Sequence, residues 1–345
     1  MSMTDVNELG EFGLIDHLTK GIQQKQSSTI QGVGDDAAVI KEGNRYAVIS
    51  TDMLIEEIHF DIRYTPLKHL GYKSVIVNLS DIYAMNVIPS HITFSIAISS
   101  KYSVEALDEL YDGIKTACDL YGVDLIGGDT TSITKGMAIS VTAVGFTDDD
   151  KKISYRHGAK KGDIVCVTGN LGAAYLGLQI LEREKQLYLD DPSIQPDLDQ
   201  HTYLIERQLK PEANKAAIEY FRKIDLTPTS MIDISDGLSS DLMHICKRSK
   251  VGAYIEETKI PMIEDAKKLA LEFNMDPISC ALSGGEDYEL LFTIPEIEID
   301  KVKYMPDVHI IGEIVDADDK VTLHTSGGRI HELTAQGWQH FKAGN

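Results

Sequence analysis

MIDISDGLSSDL, residues 231–242, is the stretch on which the fold turns. An apolar run stops at Asp233, a turn passes through Ser235, Asp236 and Gly237, and a helix begins at Leu238. A buried strand that ends in carboxylates and gives way to a helix reads as a strand ending at a site. The pattern recurs upstream. Residues 46–52, YAVISTD, end an apolar run in Ser50, Thr51 and Asp52; residues 70–85 suit a helix, and residues 92–99 alternate with a period of two, as a strand does. Ser103 offers an N-cap to a helix whose Val104, Leu107, Tyr111, Ile114, Cys118 and Tyr121 form one apolar stripe, expected to pack on a sheet. Residues 124–126 and 137–146 read as strands on either side of a Gly127-Gly128-Asp129 turn. In residues 148–162, DDDKKISYRHGAKKG, hydrophobicity falls and charge clusters, the composition of a connection between domains.

A second cycle follows that connection. It contains a strand at 163–168, a helix after Asn170, a polar loop at 190–200, the strand and helix of the opening motif, and strands near 288–293 and 309–314. The chain has no repeat of fixed period, and at 345 residues with 43% hydrophobic content it exceeds one ordinary domain. Two α+β domains are predicted, 1–150 and 151–345.

Charge narrows the partners. Lys and Arg total 33 against 54 Asp and Glu, a formal charge of −21, so nucleic acid and anionic membrane are poor partners. A polyanionic nucleotide is still accessible where carboxylates hold divalent cations that reverse the local field. Cys118, Cys166, Cys246 and Cys280 form no CxxC pair and read as reduced core residues. With neither a signal-like N-terminus nor a run near the roughly 20 apolar residues of a membrane span, a cytoplasmic protein is expected.

Short acidic turns recur where apolar segments or glycine pairs end: Gly34-Asp35-Asp36, Ser50-Thr51-Asp52, Asn78-Leu79-Ser80-Asp81, Gly127-Gly128-Asp129-Thr130-Thr131 and Asp233-Ile234-Ser235-Asp236-Gly237. Asp and Ser are good turn residues, which accounts for any one of these alone. Together they would repel one another without cations, and Mg²⁺ takes carboxylates along with substrate phosphates. Phosphoryl transfer asks for that kind of charge neutralisation and positioning. Gly32-Val33-Gly34 and Gly169-Asn170-Leu171-Gly172 could bare N–H groups to phosphates, or serve as ordinary turns. Walker, protein-kinase and GxGxxG-helix signatures are absent. Ser283-Gly284-Gly285-Glu286-Asp287-Tyr288-Glu289 crowds three acids before an apolar strand, which is costly unless something cationic binds; Asp287 and Glu289 are expected on one strand face, with Glu286 in the turn. Arg156 is a candidate phosphate clamp or a solvated linker residue, while His59 and Trp338, each isolated, read as structural side chains on their own.

Taken together these segments resemble the thiamine-monophosphate kinases, within the superfamily of ATP-binding enzymes built like aminoimidazole ribonucleotide synthetase. The motifs run in order along the chain: GEFGLI (10–15), GVGDDAAV (32–39), ISTDML (49–54), HF (59–60), NLSDIYAM (78–85), LIGGDTT (125–131), VTG (167–169), DISDGLSSDL (233–242), LSGGEDYELLFT (282–293) and GW (337–338). The resemblance implies direct transfer of the ATP γ-phosphoryl group to the phosphate of thiamine monophosphate, with several Mg²⁺ ions and no phosphoenzyme. It implies metal ligands at Asp36, Ser50, Thr51, Asp52, Asp81, Asp129, Asp233 and Asp236. ATP contacts would be Tyr111, Gly128, Asp129, Arg156 and Ser235, and acceptor contacts His59, Glu286 and Trp338. It further implies a homodimer joined through N-terminal sheets, the C-terminal domain completing each site. No general base is assigned. The loop at 185–200 has no aligned counterpart.

Other readings differ in kind. Selenophosphate synthetase and the carbamoyl-dehydrating hydrogenase maturation protein would need terminal cysteines not present here. Aminoimidazole ribonucleotide synthetase is the enzymatic rival, and a non-catalytic cation-binding protein the rival from another class, weakened by the absence of EF-hand loops.

Overall fold

A computed structural model of the chain describes residues 6–334. The first part runs α1 (Val6–Thr19), β1 (Thr29–Gln31), β2 (Ala38–Glu42), β3 (Arg45–Ile55), α2 (Leu67–Ala84), β4 (Pro89–Ile98), α3 (Val104–Tyr121), β5 (Asp124–Ser132) and β6 (Met137–Thr147). Its strands form one sheet in the order β1-β2-β3-β6-β4-β5, antiparallel except where β4 meets β5. The second part runs β7 (Asp163–Thr168), α4 (Ala173–Asp190), α5 (Thr202–Leu209), α6 (Lys215–Lys223), β8 (Ser230–Asp233), α7 (Leu238–Ser249) and β9 (Gly252–Glu256). It continues through α8 (Glu264–Glu272), α9 (Pro277–Ser283), β10 (Leu290–Pro295), α10 (Ile299–Val302), β11 (Val308–Val315), β12 (Val321–His324) and β13 (Ile330–Glu332). These strands form a second sheet, β13-β12-β9-β11-β7-β10-β8, parallel only between β12 and β9. This is a two-domain α+β architecture.

α2 is the central element. From Leu70 to Ala84 it is buried on nearly every side, packed on β3, β6 and β4, on β8 of the second sheet, and on α3. The crossing of α2 and α3 is a backbone contact: a Cβ on Gly71 would lie 1.9 Å from the Leu110 carbonyl oxygen, and one on Gly113 1.9 Å from that of Lys68. The α3 stripe therefore packs mainly on a helix, not on a sheet as expected; Tyr111 reaches across to Phe94 of β4, and Val104 is 70% exposed. The Ser103 cap is as read, its side chain accepting from Ala106 N.

Alternation along β3 divides the first sheet into two faces. Tyr46, Val48, Ser50 and Leu54 point into the core, whereas Thr51 and Met53 are exposed on the other face. On that second face Thr142 and Ser140 of β6 and Thr93 and Ser95 of β4 are only partly buried, and β5 is exposed throughout.

Four local readings are corrected. Ser50-Thr51-Asp52 lies inside β3 and Asn78-Leu79-Ser80-Asp81 inside α2, so neither is a turn. Gly127-Gly128-Asp129 is not a turn but the middle of β5, where Gly128 lets the strand close on β4: a Cβ there would sit 1.7 Å from the Phe94 carbonyl oxygen. The strand expected from Asp287 begins at Leu290, because Glu286 and Tyr288 have positive φ (65° and 52°) and break the extended run. The connection at 148–162 holds a short 3₁₀ turn at Asp150–Lys152 and buries Ile153 and Ser154, so it is packed as well as charged. All four cysteines are free and buried.

Candidate active site

One turn of α2 gathers groups from both sheets. Asn78 Oδ1 accepts from the backbone N–H of Asp52 at 2.9 Å, which holds β3 where it runs on past its pairing with β2. Ser80 Oγ donates to Asp233 Oδ2 at 2.6 Å, which fixes the end of β8. Asp81 accepts from Ser50 Oγ at 2.5 Å. From the β1–β2 loop comes Asp36, whose Oδ1 accepts from Arg156 Nη2 (2.6 Å) and Nε (3.1 Å). Neighbouring Asp35 accepts from Arg156 N. Oxygens of Asp36, Asp81 and Asp233 then lie within 4.8 Å of one another.

Electrostatics explains what such a group asks for. Burial, and next the Asp36 charge, push Asp233 up to about 7; burial and the charges of Asp52, Asp233 and Asp36 hold Asp81 well above the usual carboxylate range. Burial raises Asp36 and Asp52 as well. Arg156 is a single counter-charge among them, and Asp36 Oδ2 is buried with no hydrogen-bond partner among the described residues. Crowded carboxylates with an orphaned oxygen are a donor set for a hard divalent cation.

A cleft of about 800 Å³ opens beside this group. Thr51, Asp52, Asp81, Asp233, Ser235 and Asp236 line it, and so do His59, Tyr64, Tyr175, Lys185, Gln208 and Glu286. Its aspartate turn is held from behind: Asp241 Oδ2 accepts from Asp236 N (3.3 Å) and Gly237 N (3.2 Å). His59 Nδ1 accepts from Ile55 N at 3.0 Å. Glu286 meets Lys73 and Gln208.

Three sequence-assigned residues are not brought to the carboxylates within one chain. Asp129 is in register with Ser95, then Ser140, then Met53, so it lies three strands from β3, about 14 Å, on the face opposite Asp52. Gly128 is beside it, and Tyr111 is half-buried against Phe94. Trp338 lies outside the described residues.

Of the acids at residues 286–289, Glu289 has Arg207 as its cation, as Glu286 has Lys73. Arg207 Nη2 donates to Glu289 Oε1 (2.9 Å) and to the Asp287 carbonyl, and Thr168 and Asn214 complete Glu289. Asp287 accepts from Gly172 N at 2.7 Å, so this carboxylate fills the start of α4 where phosphate was a candidate. At the other glycine stretch the Arg248 guanidinium lies against Gly34, 2.6 Å from where a Cβ would be. Lys73, Asn78, Ser80, Gln208 and Asp241 escaped the sequence reading as separate participants. For Lys73 a signal existed: a lysine set within the largely apolar helical run at residues 70–77.

The AIR synthase related protein, N-terminal domain, family model matches residues 34–147. Thiamine-monophosphate kinase of Aquifex aeolicus is 33% identical, covering 97% of this chain and 99% of the relative; that of Buchnera aphidicola from Schizaphis graminum is 38% identical with the same coverage. The chain belongs to the thiamine-monophosphate kinase family. AaThiL complexed with AMPPCP and TMP superposes with a TM-score of 0.83 at 31% identity, covering 99% of this chain and all of that one. The family and fold expected from the motifs are thus correct. The kinase relatives match along nearly the whole chain, which favours the kinase reading over aminoimidazole ribonucleotide synthetase.

Proposed function

We propose that the protein transfers the γ-phosphoryl group of ATP to the phosphate of thiamine monophosphate, giving ADP and thiamine diphosphate, with several Mg²⁺ ions bound. One observation carries the reading: three carboxylates from three separate elements converge within 4.8 Å beside a cleft, and Asp36 Oδ2 is buried with no hydrogen-bond partner among the described residues. Asp36, Asp81 and Asp233 would hold the ions with Asp52, Asp236, Ser50 and Thr51. Bound there, Mg²⁺ supplies neutralisation of the polyphosphate and of charge developing in transfer. Arg156 has Nε and Nη2 committed to Asp36, which leaves Nη1 to meet a phosphate oxygen. Ser235 adds a hydroxyl to the cleft wall. His59, Glu286 and Trp338 are assigned to the acceptor's organic portion, where a carboxylate and aromatic rings suit a cationic heterocycle. No side chain needs to remove a proton, since the attacking group is already an anionic phosphate oxygen; the demand is alignment of two anions.

Asp129, Gly128 and Tyr111 enter this scheme through a second copy. The half-exposed face of the first sheet, with the wholly exposed β5 at its edge, supports a homodimer in which Asp129 of one copy approaches the carboxylates of the other. We place the domain boundary at 150/151, after β6, and the protein in the cytoplasm, a reducing setting that suits four free thiols. No helix among the described residues is long and apolar enough to cross a membrane.

The test is incubation of purified protein with ATP and Mg²⁺, with and without thiamine monophosphate, following ADP and thiamine diphosphate by chromatography. Equimolar products abolished by EDTA are expected; ADP without thiamine diphosphate would assign another acceptor, and neither product would sink the kinase reading.

A further inference from the structure

Lys73 is 3% exposed, in the middle of the buried helix α2, and is not among the residues that line the cleft. A lysine taken out of water needs a counter-charge, and among the described residues its one ion-pair partner is Glu286, with Nζ 2.8 Å from Oε1. Nζ also donates to the Gln208 carbonyl oxygen at 3.0 Å, and Gln208 Nε2 donates to the other Glu286 oxygen, Oε2, at 2.6 Å. Glu286 itself sits in left-handed backbone (φ 65°), its N–H given to the Ser235 carbonyl at 2.8 Å. The carboxylate is therefore fixed at its base by the Ser235 turn and at its head by two buried groups, while its side chain keeps 28% of its surface open.

We infer that Lys73 is a positioning residue for acceptor binding, acting only through Glu286. The inference rests on the kinase reading above and on the assignment of Glu286 to the acceptor. One consequence follows from the geometry. Lys73 and Gln208 hold one carboxylate oxygen each, so the carboxylate keeps a fixed place in the cleft wall and does not swing toward cations that Asp52, Asp81 and Asp233 would hold. A carboxylate held there suits a cationic or N–H-bearing heterocycle. The nucleotide gains nothing from it, so the effect belongs to the acceptor alone.

Steady-state kinetics on the full chain, varying ATP and thiamine monophosphate separately, tests this. Lys73→Met is expected to raise KM for thiamine monophosphate about tenfold, with KM for ATP within about twofold and kcat changed less than the acceptor KM. In a Glu286→Gln background the same substitution adds no further change, since the residue it acts through is already gone. Gln208→Leu, which leaves the Lys73–Glu286 pair intact, shifts acceptor KM in the same direction and serves where Lys73→Met does not fold. An unchanged acceptor KM in both variants, an equal rise in both KM values, or a full additional loss in the Glu286→Gln background would overturn the inference. Those outcomes, obtained with an active wild type, leave the kinase reading standing; a wild type that makes no acceptor-dependent ADP removes the reading and the inference together.

Discussion

At the scale of single residues, the carboxylate group behaves as a site built for charge it does not itself contain. Asp35 and Asp233 stand at about 7, each raised first by burial and then by Asp36, against an ordinary 3.8. Between those values the folded chain binds more protons than the unfolded one, so this contribution to stability is full below about pH 4 and is lost as pH rises through about 7. Divalent cations reverse the cause. The melting temperature with Mg²⁺ minus that with EDTA is thus expected to widen from pH 5 to pH 8, and a constant difference would contradict the assignment. Asp81→Asn is expected to cut turnover at least a hundredfold while leaving the EDTA melting temperature at pH 8 equal or higher, because it removes a repelled charge and keeps the shape. A variant near full activity would sink the ligand set. Asp36, Asp81 and Asp233 stood out in the sequence because acidic motifs recur where apolar segments or glycine pairs end, and the fold brings the oxygens of these three together. Asp287 and Glu289 were misread for a physical reason: the N–H of Gly172 that meets the Asp287 carboxylate is 115 positions away and the Arg207 that pairs with Glu289 is 82 away, and no local pattern announces either.

At the scale of elements, α2 acts as the frame of the site. Its crossing with α3 tolerates no side chain at Gly71 or Gly113, so Gly113→Ala must part the helices or displace the Lys68 backbone. Overpacking of this kind costs about 1–3 kcal/mol. Because α2 carries Asn78, Ser80 and Asp81, the same change is expected to lower turnover along with the melting temperature, whereas the like substitution at Gly43, whose Cβ direction is open but whose φ is 60°, costs stability without turnover. Parallel thermal melts and ADP assays separate the two. Periodicity marked α3 and its apolar stripe, but a stripe records only that a face is covered, not by what; that is why α3 was expected on a sheet. The Gly-Gly pair of β5 shows the same limit, since glycine marks close backbone approach as well as turns.

At the scale of the whole molecule, the two cycles of strand and helix in the sequence foretold two sheets, and the distance of Asp129 from Asp52 within one chain could not be foretold, because strand order is set by long-range pairing. Should Asp129 act across a dimer, mixing inactive Asp52→Asn and Asp129→Asn chains after co-refolding is expected to restore about a quarter of wild-type activity, half the dimers being mixed and each holding one intact site. No recovery would assign Asp129 to its own chain or to no site at all. Covering the exposed sheet face also predicts a dimer by sedimentation at micromolar concentration.

The hydroxyl of Ser80 on the Asp233 carboxylate has a bearing on inheritance. It ties the two halves of the polypeptide at one atom pair inside the site, 153 positions apart in sequence. A recombination event at the connection between the sheets would divide the apolar core that α2 shares with β8 and β10, and would join a helix from one parent to an aspartate from another. Shuffled genes cut there are expected to yield chains whose melting temperature and activity follow parental similarity around α2 and β8, so that the two halves descend as a single unit of selection.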